Sequence, residues 1–354
     1  MLAEAARKAN LKPLVIDLFA DIDMQGLAED YCQVKSLAIE HIAPAIGYFV
    51  EKYAATEVIY GSGLEYFPES VSYLDHRLTI LGNDSVTFNR LLDKKSFFEN
   101  LVQWDIQHPE VSFVKPGHAG EWLIKPLRGQ GGLGIKRYQG NDADSLDVYW
   151  QKYQSGYPQS VLFLADGKSL SVVSFNSQWS VSRGRDNDFA FSGIINDSCL
   201  NPAQKQKIAE WLRQLVALYQ LKGVNTLDFI QDGENSYVLE INPRPSASMV
   251  LYGGELINSH IQASRGCLAD DRPVQPGYSG YQIVYARQNL VIPEAFRWPE
   301  ACSDIPETQA IINAAQPICS IIAHQNEAHG VIQQLSTLEH TILNELERFQ
   351  THAI

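Results

Sequence analysis

Four glycines follow closely behind a lysine in "WLIKPLRGQGGLGI", residues 122–135. Backbone N–H groups can approach anionic oxygens where side chains are absent, as they are at Gly129, Gly131, Gly132 and Gly134. Lys125, on the preceding strand, is able to reach a phosphate as a point charge. This stretch therefore predicts a glycine hairpin that lies over the phosphates of a nucleotide.

The spacing of Gly129, Gly131 and Gly134 also matches the dinucleotide-binding and protein-kinase patterns. A dinucleotide site needs its glycines to open a helix, whereas the following "IKRYQGND" has the character of a strand and then a turn. A kinase needs H-R-D and D-F-G motifs downstream, and the sequence has neither. A hairpin without function stays as an alternative, although four glycines carry a large backbone-entropy cost.

A second chemical pattern is "LDFIQDGENSYVLEINPR", residues 227–244. Glu240 and Asn242 are two residues apart on one strand, so their side chains share a face. A five-residue hairpin loop, 232–236, would bring Asp228 opposite Glu240, and a four-residue loop would shift the pairing by one place. Two facing carboxylates repel each other, and a magnesium ion reverses that repulsion. The alternative is an exposed acidic hairpin beside an unpaired Arg244.

The elements that must position these residues begin with a parallel α/β unit. "PLVIDLF" (13–19), "TEVIYGSGL" (56–64) and "RLTILGN" (77–83) have strand character, and 36–54 has helical spacing. The pattern then predicts a helix over 85–104 and an antiparallel meander over 161–185, with a tight turn at Asp166-Gly167. It also predicts an amphipathic helix over 201–221 that is capped by Asn201.

Composition restricts the function classes. The chain has 354 residues, 45% of them hydrophobic, and a net charge of −13, which argues against a nucleic-acid partner. No apolar run approaches the length that crosses a bilayer, and no secretory leader is recognisable. The five cysteines are scattered and form no C-x-x-C pair. We therefore expect a cytoplasmic protein without membrane partners, disulfides or a thiolate zinc site.

The order of these motifs resembles the ATP-grasp superfamily, chiefly its carboxylate–amine ligase branch. The resemblance rests on a helical lysine in "DKKSFF", a strand lysine before the glycines in "LIKPLRGQGGLG", and an acidic hairpin that ends in "LEINPR". It is firm over 85–250. It implies an α/β (α+β) fold with a Rossmann-like pre-ATP-grasp domain (1–84), a glycine-loop lid subdomain (85–158) and an antiparallel-sheet core with a C-terminal extension (159–354).

The resemblance also implies roles for individual residues. Lys94 and Lys125 would contact ATP phosphates, with Lys95 as the alternate to Lys94. The lid over the phosphates would consist of Gly129, Gln130, Gly131, Gly132 and Gly134. The adenine hinge would be Gln151, Lys152 and Tyr153, although this chain lacks the acidic residue that is common there. The ligands of magnesium, or of manganese, would be Asp228, Glu240 and Asn242.

Three arginines complete the implied site. Arg244 would hold an acyl phosphate or a tetrahedral intermediate. Arg183 and Arg185 fall where relatives often carry a basic residue near the transferred phosphate, and the alternative for them is a solvated surface pair.

The implied reaction is ATP-dependent amide formation from a small-molecule carboxylate and an amine, with ADP and phosphate as products. The C-terminal tail, "YARQ…DIPE…PICSIIAH", resembles members that join glutamate to an aromatic amine such as tyramine in the biosynthesis of C1-carrier cofactors. A carboxylase-like enzyme that phosphorylates bicarbonate and a non-catalytic ATP sensor are the alternatives. The resemblance also allows a homodimer.

Overall fold

The computed structural model describes residues 1–117, 120–140, 146–184, 187–253, 255–268 and 276–351. It contains an eight-stranded sheet in which all neighbouring strands are antiparallel, and a separate four-stranded antiparallel sheet. Two pairs of short parallel strands lie in the N-terminal region. This arrangement confirms the predicted mixed fold with an antiparallel core.

The N-terminal region contains short elements. In chain order they are α1 (Leu2–Lys8), β1 (Leu14–Asp17), α2 (Ile22–Leu27), β2 (Asp30–Gln33), α3 (Ile39–Tyr53), β3 (Glu57–Val58), a 3-10 turn (Leu64–Tyr66), α4 (Pro68–Arg77) and β4 (Thr79–Ile80). Strand β1 pairs with β2, and β3 pairs with β4. The sequence patterns predicted α3 and three of these strands, but they missed α1, α2, β2 and α4.

The next region contains two helices and the four-stranded sheet. Its elements are α5 (Ser85–Leu92), α6 (Lys94–Gln103), β5 (Val111–Ser112), β6 (Trp122–Pro126), β7 (Lys136–Arg137) and β8 (Val148–Lys152). The single helix expected over 85–104 is two helices, because the Asp93 carboxylate accepts a hydrogen bond from the Ser96 N–H at 3.1 Å and caps a new helix. That cap makes Lys94 the first residue of α6.

The remaining elements are the strands of the eight-stranded sheet, three helices, a 3-10 turn and a pair of short strands. They are β9 (Tyr157–Asp166), β10 (Leu170–Val181), β11 (Ala190–Ile195), α7 (Pro202–Tyr219), β12 (Lys222–Asp232), β13 (Asn235–Asn242), a 3-10 turn (Ala247–Tyr252), α8 (Glu255–Ser264), β14 (Tyr278–Tyr285), β15 (Leu290–Val291), β16 (Cys302–Ser303), β17 (Ile311–Ile312), β18 (Pro317–Gln325) and α9 (Ala328–Thr351). The strand order is β13-β12-β9-β10-β11-β14-β18-β16. The expected helix over 201–221 is confirmed as α7, with Asn201 and Gln204 forming a capping box.

The core joins regions that are far apart in sequence. Phe97 and Phe98 of α6 pack in one buried cluster with Phe163 of β9 and Trp211 of α7. This packing ties the start of α6, and with it Lys94, to the large sheet. Burial of such side chains contributes about 1.5–3 kcal/mol each to folding, so the position of Lys94 is held by the core.

His260 connects α8 to the N-terminal region. Its Nδ1 accepts a hydrogen bond from the Val224 N–H at 2.8 Å, so its Nε2 carries the proton and donates to the Leu81 carbonyl at 2.9 Å. The imidazole is fully buried, and burial lowers the pKa of His260 from 6.5 to about 4. Neutral His260 therefore bridges β12 and the end of β4.

Candidate functional site

Asp228 and Glu240 face each other across β12 and β13. The turn between these strands has two residues, Gly233 and Glu234, because Asp232 pairs with Asn235. The turn is therefore shorter than either loop length considered from the sequence, yet the pairing of Asp228 with Glu240 is present. A bulge near Asp228 leaves one extra residue on β13 and shifts the register by one place.

Asp228 is held by two amide side chains. Its Oδ1 accepts a hydrogen bond from Gln178 Nε2 at 3.0 Å, and its Oδ2 accepts one from Asn242 Nδ2 at 2.9 Å. Burial and then the nearby Glu240 raise the pKa of Asp228 from 3.8 to about 6. The sequence patterns missed Gln178, because nothing in a strand sequence shows which neighbouring strand it will face.

Glu240 lies against two lysines. Its Oε2 accepts a hydrogen bond from Lys94 Nζ at 3.1 Å. Burial would raise the pKa of Glu240, but the positive charges of Lys94 and Lys125 outweigh it and hold that pKa below its ordinary value. Lys94 is 9% exposed, whereas Lys95 is exposed. Of the two registers left open for the helical lysine, Lys94 therefore faces the carboxylates.

Lys125 and Gln151 meet on the inner face of the four-stranded sheet. Lys125 Nζ donates a hydrogen bond to Gln151 Oε1 at 3.1 Å, and both side chains are buried. Burial lowers the pKa of Lys125 to about 8. Because the oxygen of Gln151 faces Lys125, its Nε2 is left as a buried donor with no partner among the described residues. Such a group costs about 1–3 kcal/mol unless a ligand accepts from it.

The other two residues of the expected adenine hinge turn away from this pair. Lys152 is exposed and lies 3.6 Å from a Glu110 carboxylate oxygen. The Arg137 guanidinium stacks 4.4 Å from the Tyr153 ring centre. The N–H groups of Lys152 and Tyr153 already donate to backbone carbonyls of Glu110 and Glu121. Among the three hinge residues, only the Gln151 side chain lies beside Lys125.

The glycine loop is a turn between β6 and β7 and not the start of a helix. Gly131, Gly132 and Gly134 have φ angles of 59°, 71° and 76°, which favour glycine. A Cβ atom at Gly129 would lie 3.6 Å from the Tyr66 hydroxyl. The dinucleotide-binding interpretation of these glycines is therefore excluded, and the loop lies near the N-terminal region. The Oε1 atom of Gln130 is buried without a partner among the described residues.

Arg244 forms a buried ion pair with Glu65, a residue that the sequence patterns missed. The Nε and NH2 atoms of Arg244 lie 2.6 and 2.5 Å from Glu65 Oε1, and both side chains are 6% exposed. Glu65 Oε2 accepts a hydrogen bond from the Gly63 N–H at 2.8 Å. The "GSGLE" turn after β3 was the available signal, since ligands of α/β units gather at the C-terminal ends of strands.

Arg183 contacts the ring of Tyr285 rather than the carboxylates of Asp228 and Glu240. Its guanidinium carbon is 4.3 Å from the centre of the Tyr285 ring, and its Nε is buried without a partner among the described residues. Burial raises the pKa of Tyr285, and the charge of Arg183 opposes that rise. Arg183 is therefore not a freely solvated surface residue, and Arg185 lies outside the described residues.

Comparison with known proteins decides the family. The family model of the ATP-grasp domain matches residues 91–248, which include the helical lysine, the glycine loop and both carboxylates. Residues 91–248 are an ATP-grasp domain. Within that domain, the described residues hold no group of three His, Cys, Asp or Glu side chains arranged for a metal. The expected metal ligands are two carboxylates and one amide.

Curated relatives match parts of this chain. It is 22% identical over 191 residues, 49% of its length, to the arginine-specific carbamoyl phosphate synthase large chain of Bacillus subtilis. It is 22% identical over 270 residues, 70% of its length, to the uncharacterized protein MJ0776 of Methanocaldococcus jannaschii. These matches span 18% and 64% of the two relatives, which is less than two thirds of either.

Solved structures share the fold over nearly the whole chain. The biotin carboxylase domain of the Hydrogenobacter thermophilus 2-oxoglutarate carboxylase, a dimer in complex with MgADP, ADP and bicarbonate, superposes with a TM-score of 0.73. The alignment has 14% identity and covers 95% of this chain and 86% of that one. The biotin carboxylase of Campylobacter jejuni superposes with a TM-score of 0.70 at 16% identity, over 94% and 86% of the two chains. No helix in the described part of the chain is long and apolar enough to cross a membrane.

Proposed function

We propose that this chain is an ATP-dependent ligase that joins a carboxylate to an amine through an acyl phosphate. The observation that carries the proposal is the cluster of Lys94, Lys125, Asp228 and Glu240, in which two buried lysines face two half-buried carboxylates. Such a cluster suits a magnesium–triphosphate ligand, which brings charges of both signs.

ATP would lie between the two sheets. Lys94 and Lys125 would bind its phosphates, and the unpartnered Nε2 donor of Gln151 would find an acceptor on the nucleotide. The N–H groups of the glycine loop, from Gly129 to Gly134, would cover the phosphates and exclude water. Lys152 and Tyr153 would contribute through their backbone carbonyls alone, because their N–H groups are occupied.

The donor set fits a magnesium ion. Asp228, Glu240 and Asn242 would hold it, since carboxylate and amide oxygens are ligands that magnesium prefers. Burial first, and then the charge of the facing Glu240, raise the pKa of Asp228, and a bound cation would favour the charged form of both carboxylates. When bound, magnesium supplies neutralisation of the negative charge on the phosphates.

The reaction would have two steps. A substrate carboxylate oxygen attacks the γ-phosphorus of ATP, an O–P bond forms, and the bond to the bridging oxygen breaks to release ADP. The amine nitrogen then attacks the acyl carbon, a C–N bond forms, phosphate leaves, and the nitrogen loses a proton. Arg244 would stabilise the oxyanion of the second step. Arg183 and Arg185 would lie near the transferred phosphate and bind this anionic group of the acyl-phosphate intermediate.

The test is product analysis with pools of carboxylic acids and amines. The expected products are ADP and phosphate, and ADP release should require both substrates. With ¹⁸O in the substrate carboxylate, one label should appear in the released phosphate. AMP and pyrophosphate as products would contradict the proposal. ATP binding without turnover would instead favour a non-catalytic ATP sensor.

Phosphorylation of bicarbonate is the second candidate. The observation in its favour is the likeness to biotin carboxylase domains over 95% of the chain, one of them in complex with bicarbonate. ATP hydrolysis that bicarbonate stimulates without any amine would support this candidate over the ligase. The homodimer that the resemblance allows is tested separately by the molar mass in solution.

A further inference from the structure

The glycine loop is docked on the segment Asn187–Phe191, which leads into β11. The Gly134 N–H donates to Asn187 Oδ1 at 2.9 Å, and the Phe191 N–H donates to the Gly131 carbonyl at 2.8 Å. The Asp188 N–H donates to the Ile135 carbonyl at 3.0 Å. The loop is therefore bonded along its length to a strand end of the large sheet.

Gly132 makes the closest approach between the two segments. A Cβ atom at this position would lie 1.9 Å from the Phe189 carbonyl oxygen, well inside the contact distance of two atoms. The backbones pack directly on each other, which only glycine permits. This contact fixes the distance between the glycine loop and the segment Asn187–Phe191.

The same segment is bonded to the backbone of Arg183. The Arg183 N–H donates to the Asn187 carbonyl at 2.8 Å, and the Asn187 N–H donates to the Gly184 carbonyl at 3.0 Å. The main chain of Asn187 thus holds Arg183 and Gly184, which we call the Arg183 turn, and its side chain holds Gly134. It is the residue through which the turn and the loop are joined.

We propose that Asn187 is a positioning residue that couples closure of the glycine loop to the backbone that carries Arg183. The inference rests on the proposed function only in taking the loop as the cover of a nucleotide. A nucleotide that orders the loop would order the Arg183 turn through Asn187, and an anionic substrate held by Arg183 would favour the closed loop. The two effects are reciprocal, because coupling between binding sites is symmetric in free energy.

A purely structural role for the hydrogen bond between the Gly134 N–H and Asn187 Oδ1 predicts a different result. If Asn187 only stabilised the local chain, its removal would lower the melting temperature without changing how the loop and the turn respond to a ligand. Asn289 provides the matched control, because its Oδ1 accepts a hydrogen bond from the Ala314 N–H at 2.8 Å on an exposed surface. Asn289→Ala removes the same kind of bond outside the loop and the turn.

Hydrogen exchange of single amides tests the coupling, with the magnesium complex of the non-hydrolysable analogue AMP-PNP as the probe. In the unaltered protein, AMP-PNP should slow exchange at the Gly134 and Asn187 amides together. In Asn187→Ala, the Gly134 amide of the ligand-free protein should exchange about tenfold faster, as expected for the loss of one hydrogen bond. AMP-PNP should then no longer slow the amide of residue 187.

Two further variants sharpen the result. Asn187→Asp keeps an acceptor oxygen and should restore the slow exchange at Gly134, whereas Asn289→Ala should leave both amides unchanged. Exchange at Gly134 that Asn187→Ala does not alter would overturn the proposal, as would AMP-PNP protection of residue 187 that survives in that variant. Absence of any AMP-PNP effect in the unaltered protein would instead contradict the nucleotide site, while the ligand-free comparison still decides whether Asn187 holds the loop.

Discussion

Arg244 and Glu65 lie 179 residues apart in the sequence and form an ion pair with 2.6 Å between Arg244 Nε and Glu65 Oε1. The pair joins the ATP-grasp domain to the N-terminal region, because Glu65 follows β3 and Arg244 follows β13. Removing one partner of a buried pair leaves an uncompensated charge, which costs about 3–5 kcal/mol. The pair therefore fixes Arg244 before any substrate binds.

The first prediction concerns the stability of this pair. Glu65→Leu should lower the free energy of unfolding by about 3 kcal/mol or more, and Arg244→Met by a similar amount. The double variant Glu65→Leu/Arg244→Met should be more stable than either single variant, because no buried charge is left unpaired. Urea denaturation measures all four proteins. Additive losses would show that the two side chains do not depend on each other.

The second prediction concerns the charge of Lys125. Lys125→Met should weaken binding of Mg-ATP by about 1.5–3 kcal/mol, the range for a hydrogen bond to a charged group. Lys95→Met is the control, because Lys95 is exposed and should change the affinity much less. Calorimetry with both variants measures the difference. Equal losses in the two variants would remove Lys125 from the phosphate site.

The affinity for ATP should also depend on pH through Lys125. Burial lowers the pKa of Lys125 to about 8 in the free protein, and a bound phosphate favours the charged form and raises that pKa. Between the two values the complex holds more protons than the free protein. Affinity should therefore fall as the pH rises above about 8, and Lys125→Met should lose this dependence.

The sequence indicated the groups that the structure brings together in the candidate site better than it indicated their surroundings. Lys125, the glycines and Glu240 stand in short stretches whose spacing carries the signal. Glu65 and Gln178 were missed, because each acts on a residue that is distant in sequence and only the tertiary fold brings them together. The helix break at Asp93 depended on a side-chain cap, which competes with continuation of the helix.

The pairing of Asp228 with Glu240 shows why some correct predictions rest on incomplete reasons. A two-residue turn alone would have placed Asp228 one position away from Glu240, and a bulge restored the pairing. Nothing in the sequence of β13 marks the bulge. The chemistry of two facing carboxylates was therefore a better guide than the length of the hairpin loop.

A fourth prediction compares two neighbouring glycines. Gly131 and Gly132 have similar φ angles of 59° and 71°, but a Cβ atom meets nothing within 4 Å at Gly131 and meets the Phe189 carbonyl oxygen at Gly132. Alanine at either position carries the same backbone strain. Gly132→Ala should therefore reduce turnover with ATP far more than Gly131→Ala does, while the melting temperatures of the two variants stay similar. Equal activities would show that contact with Phe189 is unnecessary for closure.

The last prediction concerns stability at acidic pH through His260. Burial lowers its pKa in the folded protein from 6.5 to about 4, so the unfolded chain binds the proton first as the pH falls. Between these values the unfolded state holds more protons, and the free energy of unfolding should decrease as the pH falls from about 6.5 to about 4. The full shift corresponds to about 3 kcal/mol, at 1.36 kcal/mol for each pKa unit.

Glutamine at position 260 keeps one donor and one acceptor but cannot take up the proton. His260→Gln should lower stability near neutral pH, because its amide fits the Leu81 carbonyl and the Val224 N–H less well than the imidazole does. Between about pH 7 and about pH 4.5 it should also remove about 2.4 kcal/mol of the acid-induced loss. His340→Gln, at an exposed histidine of α9, is the control for a change of residue type. Urea denaturation at about pH 7 and about pH 4.5 gives the free energy of unfolding of the unaltered protein and of both variants at each pH. A pH dependence that His260→Gln leaves intact would assign the acid sensitivity to carboxylates whose pKa the fold lowers, such as Glu240.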